Sequence, residues 1–190
     1  MWDDKDFYSF WNTEGLIERF LRENRRMVDF VVEKILLSDA KLIGFTVHFS
    51  SYLISLAIAR MIKERDKKRF IVFGGPEAAR EFRGWDIIKE PAVDAVVIGE
   101  GDRTALELAD ILDKKGSVDF CKGTLLKNES GIRDCGDREV IENLDSLPFP
   151  DYSYFRDEIY SRLYREPNRL DIFDSRGCIT RCHFCSEWQF

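Results

Sequence analysis

Three cysteines lie close together near the end of the sequence, at Cys178, Cys182 and Cys185. The spacing C-x-x-x-C-x-x-C lets one short loop supply three thiolates to a cubane 4Fe-4S cluster, and it leaves the fourth iron without a protein ligand. An iron of that kind can bind a substrate, which a closed structural site cannot do. The pattern therefore predicts a cluster loop with one open coordination position.

Two other interpretations of the cysteines remain open. A structural zinc site needs a fourth ligand, and the nearby His183 lies between two of the cysteines, where it is awkward to fold back onto the same metal. Cys121 and Cys135 could in principle add ligands, but they belong to a separate predicted hairpin. We expect these two to be simple core or surface thiols.

The residues before the cysteines alternate between helical and strand patterns. Apolar residues recur at helical spacing in three long segments and one short segment: 14–37, 51–65, 102–115 and the short 77–82. Compact apolar runs rich in β-branched and aromatic residues favour three buried strands: KLIGFTVHF (41–49), RFIVF (69–73) and DAVVIGEG (94–101).

This alternation predicts an α/β fold, a Rossmann-like parallel sheet with helices on both faces, because parallel strands need crossover connections. Ligands of such sheets bind beyond the carboxyl ends of the strands. The three strands end in loops that combine glycine with small hydroxyl or acidic residues. The candidate ligand contacts are Thr46, His48, Ser50, Ser51, Gly74, Gly75, Pro76, Gly99, Glu100 and Gly101. His48 either lines the ligand site or is a hydrogen-bonded loop residue.

The pattern changes after Gly116. Short polar and glycine-rich turns predict a small antiparallel hairpin, and Pro148 and Pro150 indicate an extended linker. Beyond Pro167 the residues favour a new strand that delivers Cys178 into a loop. We therefore expect a Rossmann-like domain over 1–140, a linker over 141–168 and the start of a second domain over 169–190.

Composition narrows the partners and the location. The chain of 190 residues has a net charge of −6, which argues against nucleic acid or an anionic membrane as a partner, since both are held by clustered lysine and arginine. The sequence contains no apolar run of about 20 residues that could cross a bilayer and no signal-peptide pattern at its start. We expect a cytoplasmic protein. An odd count of five cysteines then favours metal ligation or catalysis over disulfides.

Residues 176–185, RGCITRCHFC, resemble the signature of the radical S-adenosylmethionine enzymes. The resemblance implies that Cys178, Cys182 and Cys185 ligate a 4Fe-4S cluster and that Phe184 lies beside the adenine of S-adenosylmethionine. In that family the open iron chelates S-adenosylmethionine, and an electron from the cluster cleaves it to a 5′-deoxyadenosyl radical. The resemblance also implies a reductant such as flavodoxin or ferredoxin as a partner and an unknown small-molecule or peptide substrate.

The upstream residues resemble the cobalamin-binding domain that precedes the radical domain in one large subclass of that family. The resemblance lies in three loop segments and in the linker: IGFTVHFSSYL (43–53), FGGPEA (73–78), VIGEGD (97–102) and SLPFPDY (146–152). The family domain begins with a further strand, helix and strand, and His48 does not lie in the D-x-H-x-x-G motif that supplies a lower ligand to cobalt. We therefore expect a fragment at both ends, with a truncated TIM-like barrel beginning at the cysteine loop.

The resemblance implies the cobalamin-binding portion of a radical S-adenosylmethionine enzyme. The intact enzyme would transfer a methyl group or catalyse a related radical rearrangement or cyclisation, and the fragment alone would be inactive. A different interpretation is a non-catalytic cobalamin- or nucleotide-binding module whose cysteines hold a structural metal. A flavodoxin-like or response-regulator-like domain is a third, although the acidic pocket and lysine of a phosphoacceptor are missing from the strand ends.

Overall fold

The computed structural model describes residues 14–151, 175–180 and 182–183. The chain divides into two compact units, Met1–Glu139 and Val140–Phe190. The described residues of the first unit form helices α1 (Glu14–Glu23), α2 (Arg25–Leu37), α3 (Tyr52–Arg65), α4 (Gly84–Lys89) and α5 (Asp102–Lys115). They also form strands β1 (Leu42–Thr46), β2 (Phe70–Gly74), β3 (Ala95–Val97), β4 (Thr124–Asn128) and β5 (Gly131–Asp134).

The five strands form one sheet whose spatial order equals the chain order, β1-β2-β3-β4-β5. β1, β2 and β3 run parallel, as the alternation of helices and strands predicts. The hairpin of β4 and β5 is also confirmed, but it joins the sheet antiparallel to β3, so the sheet is mixed. The reason is the path of residues 117–123, which return the chain to the carboxyl end of β3, where the N–H of Ile98 donates to the carbonyl of Gly123 at 2.8 Å.

Helices cover both faces of this sheet, as expected for buried parallel strands. On the first face α2, α3 and α4 pack over Ile71, Phe73 and Val96. On the second face α5 packs over Val72 and Ala95. Successive residues of a strand point to opposite faces, so β2 and β3 are apolar at every central position. Full burial of a side chain such as Phe73 contributes about 1.5–3 kcal/mol.

The single long helix predicted over 14–37 is wrong, because Asn24 separates α1 from α2. Asn24 has φ −108° and ψ 23°, and its side-chain amide donates to the carbonyl of Phe20 at 3.0 Å. Asparagine side chains compete with the backbone for such bonds, which weakens a helix locally. The apolar spacing continues across the interruption, so periodicity alone does not show it.

The short helix predicted over 77–82 is also wrong. Pro76–Ala78 forms a 3₁₀ turn, and α4 begins only at Gly84. Arg83 turns back toward Glu77: its N–H donates to the Glu77 carbonyl at 3.1 Å and its Nε to the Glu77 carboxylate at 3.0 Å. These two bonds close a compact loop where the sequence pattern suggested a helical turn.

The described residues of the second unit contain one short element, the 3₁₀ turn Leu144–Ser146. The side chain of Asn143 accepts the N–H of Asp145 at 3.0 Å and so begins this turn. The strand expected to lead into Cys178 falls mostly outside the described residues. Within the part of the chain that the structure describes, no helix is long and apolar enough to span a membrane.

Candidate functional site

The carboxyl ends of β1, β2 and β3 meet at one edge of the sheet, as the sequence predicts. Val47, just after β1, donates its N–H to the carbonyl of Gly74 at 2.7 Å and accepts the N–H of Glu77 at 3.2 Å. A Cβ built on Gly74 would lie 3.6 Å from the Cβ of Val97, the last residue of β3. The first loop therefore contacts the second, and the second contacts the third strand.

A change in the side of the connections makes this edge a candidate ligand-binding position. The chain after β2 passes into α4 on the first face of the sheet. The chain after β3 passes into α5 on the second face. Adjacent parallel strands whose connections leave to opposite faces open a crevice at their carboxyl ends, and ligands of α/β sheets bind in such crevices. Here the crevice lies between the loops that begin at Gly75 and Ile98.

The two loops use glycine for different reasons. Gly75 has φ 95° and ψ −179°, and a Cβ on it would lie 2.9 Å from both the N and the O of Val47. That glycine is needed for the close approach of the two loops. Gly99 has φ +72°, and a Cβ there would meet no atom within 4 Å. Open space at this edge therefore lies above the third loop.

The polar candidate residues of the first loop also have different roles: some shape the loop and others are exposed. The Ser51 hydroxyl accepts the N–H of His48 at 3.0 Å and donates to its carbonyl at 3.3 Å, so it shapes the turn that begins α3. Thr46 and His48 are exposed, and Ser50 is half-buried. Among the described residues the His48 ring has no hydrogen-bond partner, so only its backbone fixes the loop. The ring is available to a ligand.

Salt bridges that the sequence analysis did not predict fix the segments around this edge. Arg80 donates from Nη2 to Asp134 at 2.6 Å and from Nε at 3.2 Å, and it also pairs with Asp137. The Arg80 guanidinium is the main reason that the pKa of Asp134 lies below its usual value. Arg83 lies over the ring of Tyr52 at 5.1 Å while bonded to Glu77. In the sequence, these salt bridges were indicated by the charged residues of PEAAREFRG (76–84).

The cysteine loop is described in part. Cys178 is exposed and Cys182 is half-buried. The Cys178 sulfur accepts the N–H of Thr180 at 3.4 Å, and Gly177 before it has φ +72°. Phe184 and Cys185 lie outside the described residues. Among the described residues no three histidine, cysteine or carboxylate side chains form a metal site, and the predicted third ligand is not among them.

Cys121 and Cys135 belong to a different environment. Both are buried, and both pack in the core between α5 and the second face of the sheet. Burial raises the pKa of the Cys121 thiol to about 11, with the nearby Glu107 carboxylate adding to the effect. Thiols of this kind are inert, because the thiolate is the reactive and ligating form. Cys121 and Cys135 are therefore core thiols, which is one of the two forms expected for them.

Comparison with known proteins finds enzymes. The chain is 31% identical over 150 residues to an uncharacterised methyltransferase of Pyrococcus horikoshii, a match covering 78% of this chain and 32% of that protein. It is 27% identical over 157 residues to the anaerobic magnesium-protoporphyrin IX monomethyl ester cyclase of Synechocystis sp., covering 78% and 29%. It is 29% identical over 136 residues to the hopanoid C-3 methylase of Methylococcus capsulatus, covering 70% and 25%. No protein-family model matches the chain.

The chain spans a third or less of the length of these curated relatives. Two of the three relatives are named for methyl transfer, and the third is named as a cyclase. The chain is therefore related, at low identity, to methyltransferases and to a cyclase.

Proposed function

We propose that this chain is the cofactor-binding portion of a cobalamin-dependent radical S-adenosylmethionine enzyme that transfers a methyl group or catalyses a related cyclisation or rearrangement. The observation that carries the proposal is the division of the cysteines into two chemical classes. Cys121 and Cys135 are buried in the core, whereas Cys178 is exposed on a loop with the C-x-x-x-C-x-x-C spacing. The names of the relatives support methyl transfer or cyclisation as the reaction.

The cysteine loop suits a 4Fe-4S cluster. The sulfur of Cys178 is not used in packing, and a backbone N–H from Thr180 points at it. Such N–H donors stabilise thiolate ligands and tune the potential of a cluster. Cys178, Cys182 and Cys185 would hold the cluster, and Phe184 would contact the adenine of S-adenosylmethionine. The bound cluster supplies the electron for reductive cleavage of S-adenosylmethionine, with flavodoxin or ferredoxin as the proposed reductant.

The edge of the sheet suits one end of a large cofactor such as cobalamin. The crevice lies at the switch point of the sheet, and its third loop is open at Gly99. The exposed His48 and Thr46 flank it from the first loop. α3 and α5 begin at the same edge, and the positive ends of their helix dipoles favour an anionic group such as a phosphate. In the proposed complex these residues bind and orient the cofactor, and Gly75 keeps the first two loops together.

A second candidate function is a non-catalytic module that binds cobalamin or a nucleotide, with the cysteines holding a structural metal. The crevice alone favours neither candidate, because both need it. Iron and sulfide content separates them, since a structural site of this ligand type takes zinc.

The cluster is tested by anaerobic reconstitution with iron and sulfide, followed by metal and sulfide analysis and absorption spectroscopy. We expect about four irons per chain, with the signal lost in air. Alanine at Cys178, Cys182 or Cys185 should each abolish it, and the matched controls Cys121→Ala and Cys135→Ala should retain it. Purified protein that holds zinc and takes up no iron, or a strict need for Cys121 or Cys135, would contradict the proposal.

The cofactor crevice is tested with two leucine variants of equal backbone cost. Gly99 and Gly116 have φ of +72° and +74°, and neither has an atom within 4 Å of its ideal Cβ. Gly116 ends α5, away from the crevice. We expect Gly99→Leu to lose binding of hydroxocobalamin and Gly116→Leu to keep it, measured by the absorption of the bound cofactor. Equal binding by both variants would remove cobalamin from this crevice.

A further inference from the structure

The chain leaves the first unit through residues 134–138, which we call the exit segment. The segment starts at the last residue of β5, and the second unit begins shortly after it, at Val140. The candidate crevice lies between the second and third loops, which begin at Gly75 and Ile98. The exit segment is bonded to both of these loops, although it belongs to neither.

Arg80 ties the exit segment to the second loop. Its guanidinium donates twice to the Asp134 carboxylate, from Nη2 at 2.6 Å and from Nε at 3.2 Å, and it also pairs with Asp137. Two N–H donors of one planar guanidinium fix the orientation of a carboxylate as well as its distance. Asp134 in turn accepts the N–H of Gly136 at 2.9 Å. The tie therefore holds the turn of the segment together with its first residue.

Gly123 and Arg138 tie the same segment to the third loop. The carbonyl of Gly123 accepts the N–H of Ile98 at 2.8 Å, and its own N–H donates to the carbonyl of Gly136 at 2.9 Å. Arg138 donates from Nε to Oγ1 of Thr104 at 2.9 Å. Thr104 lies in the first turn of α5, which directly follows the third loop. The third loop is therefore held to the segment on both of its sides.

The groups around Gly123 are packed too closely to move independently. Gly123 has φ +84°, and a Cβ on it would lie 2.9 Å from Oγ1 of Thr104 and 3.2 Å from Cβ of Arg138. The Arg138 side chain is 18% exposed. Its Nη2 donates to the carbonyl of Lys122 at 2.8 Å and to the carboxylate of Glu107. Close packing of this kind transmits displacements, so a shift of the third loop is passed to the exit segment.

We propose that the exit segment couples the two walls of the crevice to each other and to the start of the second unit. The inference rests on the proposed function of the crevice. A ligand that bridges the second and third loops fixes both ties at once and so holds the segment in place. By reciprocity, a segment that is held in place strengthens binding of the ligand. The chain that carries the cysteine loop then leaves the first unit from a position that is better fixed when the crevice is occupied.

Amide hydrogen exchange tests the coupling between the two walls without a ligand. Arg80→Met removes the tie to the second loop, and the amides of Ile98 and Gly123 report on the tie to the third loop. We expect these two amides to exchange roughly three- to fivefold faster in the variant, which is the effect of losing a partly exposed ion pair. The amide of Ile71, which donates to Asp94 near the start of β2, should be unchanged.

Two further variants separate coupling from a general loss of stability. The matched control Arg60→Met removes another arginine–carboxylate pair, of 2.8 Å, near the amino ends of the strands, and it should leave the two reporter amides unchanged. In a chain that already carries Arg138→Met, the change Arg80→Met should have a smaller effect, because the segment is already loose. Unchanged reporter amides in Arg80→Met, equal acceleration in Arg60→Met, or a full effect in the double variant would each overturn the proposal.

Limited trypsin digestion tests the response to a ligand. Trypsin reaches the bond after Arg138 when the segment is released, because that side chain is otherwise held in hydrogen bonds. Hydroxocobalamin at about ten times its Kd should slow this cleavage roughly three- to tenfold. Cleavage after Lys68, which is exposed at the opposite end of the sheet, should not change.

The two measurements keep the coupling and the proposed function apart. Hydroxocobalamin that binds, as shown by its absorption, and leaves cleavage after Arg138 unchanged would overturn the coupling. Hydroxocobalamin that does not bind would contradict the proposed function, and the exchange measurement, which needs no ligand, would then decide the coupling.

Discussion

Alanine substitutions at three glycines of the candidate edge should have very different costs. Gly74 is the last residue of β2, its φ is not positive, and an added Cβ would make ordinary contact with Val97 at 3.6 Å. Gly99 has a positive φ but open space around it, whereas Gly75 combines a positive φ with a close approach to Val47. The series therefore separates backbone strain from steric contact.

The magnitudes follow from these environments. Gly74→Ala should be neutral or stabilise by about 0.5 kcal/mol, since glycine weakens a strand. Gly99→Ala should cost about 1–2 kcal/mol, the penalty of a left-handed conformation for a residue with a Cβ. Gly75 lies in a region of φ and ψ that is almost restricted to glycine. Adding the 2.9 Å contact with the hydrogen-bonded backbone of Val47, we expect Gly75→Ala to cost about 3–4 kcal/mol.

Urea unfolding followed by circular dichroism measures these differences, with equal slopes in urea as the check that the unfolded state is unchanged. A loss at Gly75→Ala no greater than at Gly99→Ala would refute the close packing of the first two loops. The result also bears on cofactor binding. A Gly75 variant that loses cobalamin would do so through a disrupted loop, and for that reason Gly99 is the better position to block the crevice.

Two further predictions concern reactivity and pH. In the folded protein at neutral pH, iodoacetamide should modify Cys178 and leave Cys121 unmodified until denaturant is added, because burial raises the pKa of Cys121 to about 11; peptide mass spectrometry checks this, and equal rates would contradict it. Arg80 lowers the pKa of Asp134, so the pair stabilises the fold above the unfolded pKa of about 4 and the stabilisation is lost as pH falls through the lower folded value. The free energy of unfolding, measured with urea, should therefore decrease less on acidification through that window in Arg80→Met than in the parent chain. The difference should be less than about 1 kcal/mol, because Asp134 is partly exposed. An equal decrease in both proteins would disprove the coupling.

The sequence was sufficient to predict the parallel strands and the edge where they end. Ile71, Val72 and Phe73 are apolar at consecutive positions, which is the pattern of a strand buried on both faces. The interruption at Asn24 could not be predicted in this way. One side-chain hydrogen bond to Phe20 decides it, and the apolar residues on either side keep the spacing of a continuous helix.

At the candidate site, residue types could be predicted from sequence but their roles could not. Glycine after a strand indicates a turn or a close approach, and only the neighbouring loop decides which one. For Gly75 that neighbour is Val47, which is 28 residues earlier in the chain. The pairing of Arg80 with Asp134 depends on the hairpin joining the sheet, and no local pattern encodes that junction.

The strands of the first unit lie side by side in the order in which they occur in the chain, and this order matters for how the unit assembles. After β1, each strand of the described sheet pairs with the strand made just before it, so each new pairing closes only a short loop of chain. A nascent chain that has emerged as far as Gly74 already contains β1, α3 and β2, the parts of a complete parallel unit. Later elements add to an edge that exists, and the bond between Arg80 and Asp134 forms only when β5 is in place. In the described sheet, the order in which the strands leave the ribosome is therefore also the order in which they lie side by side.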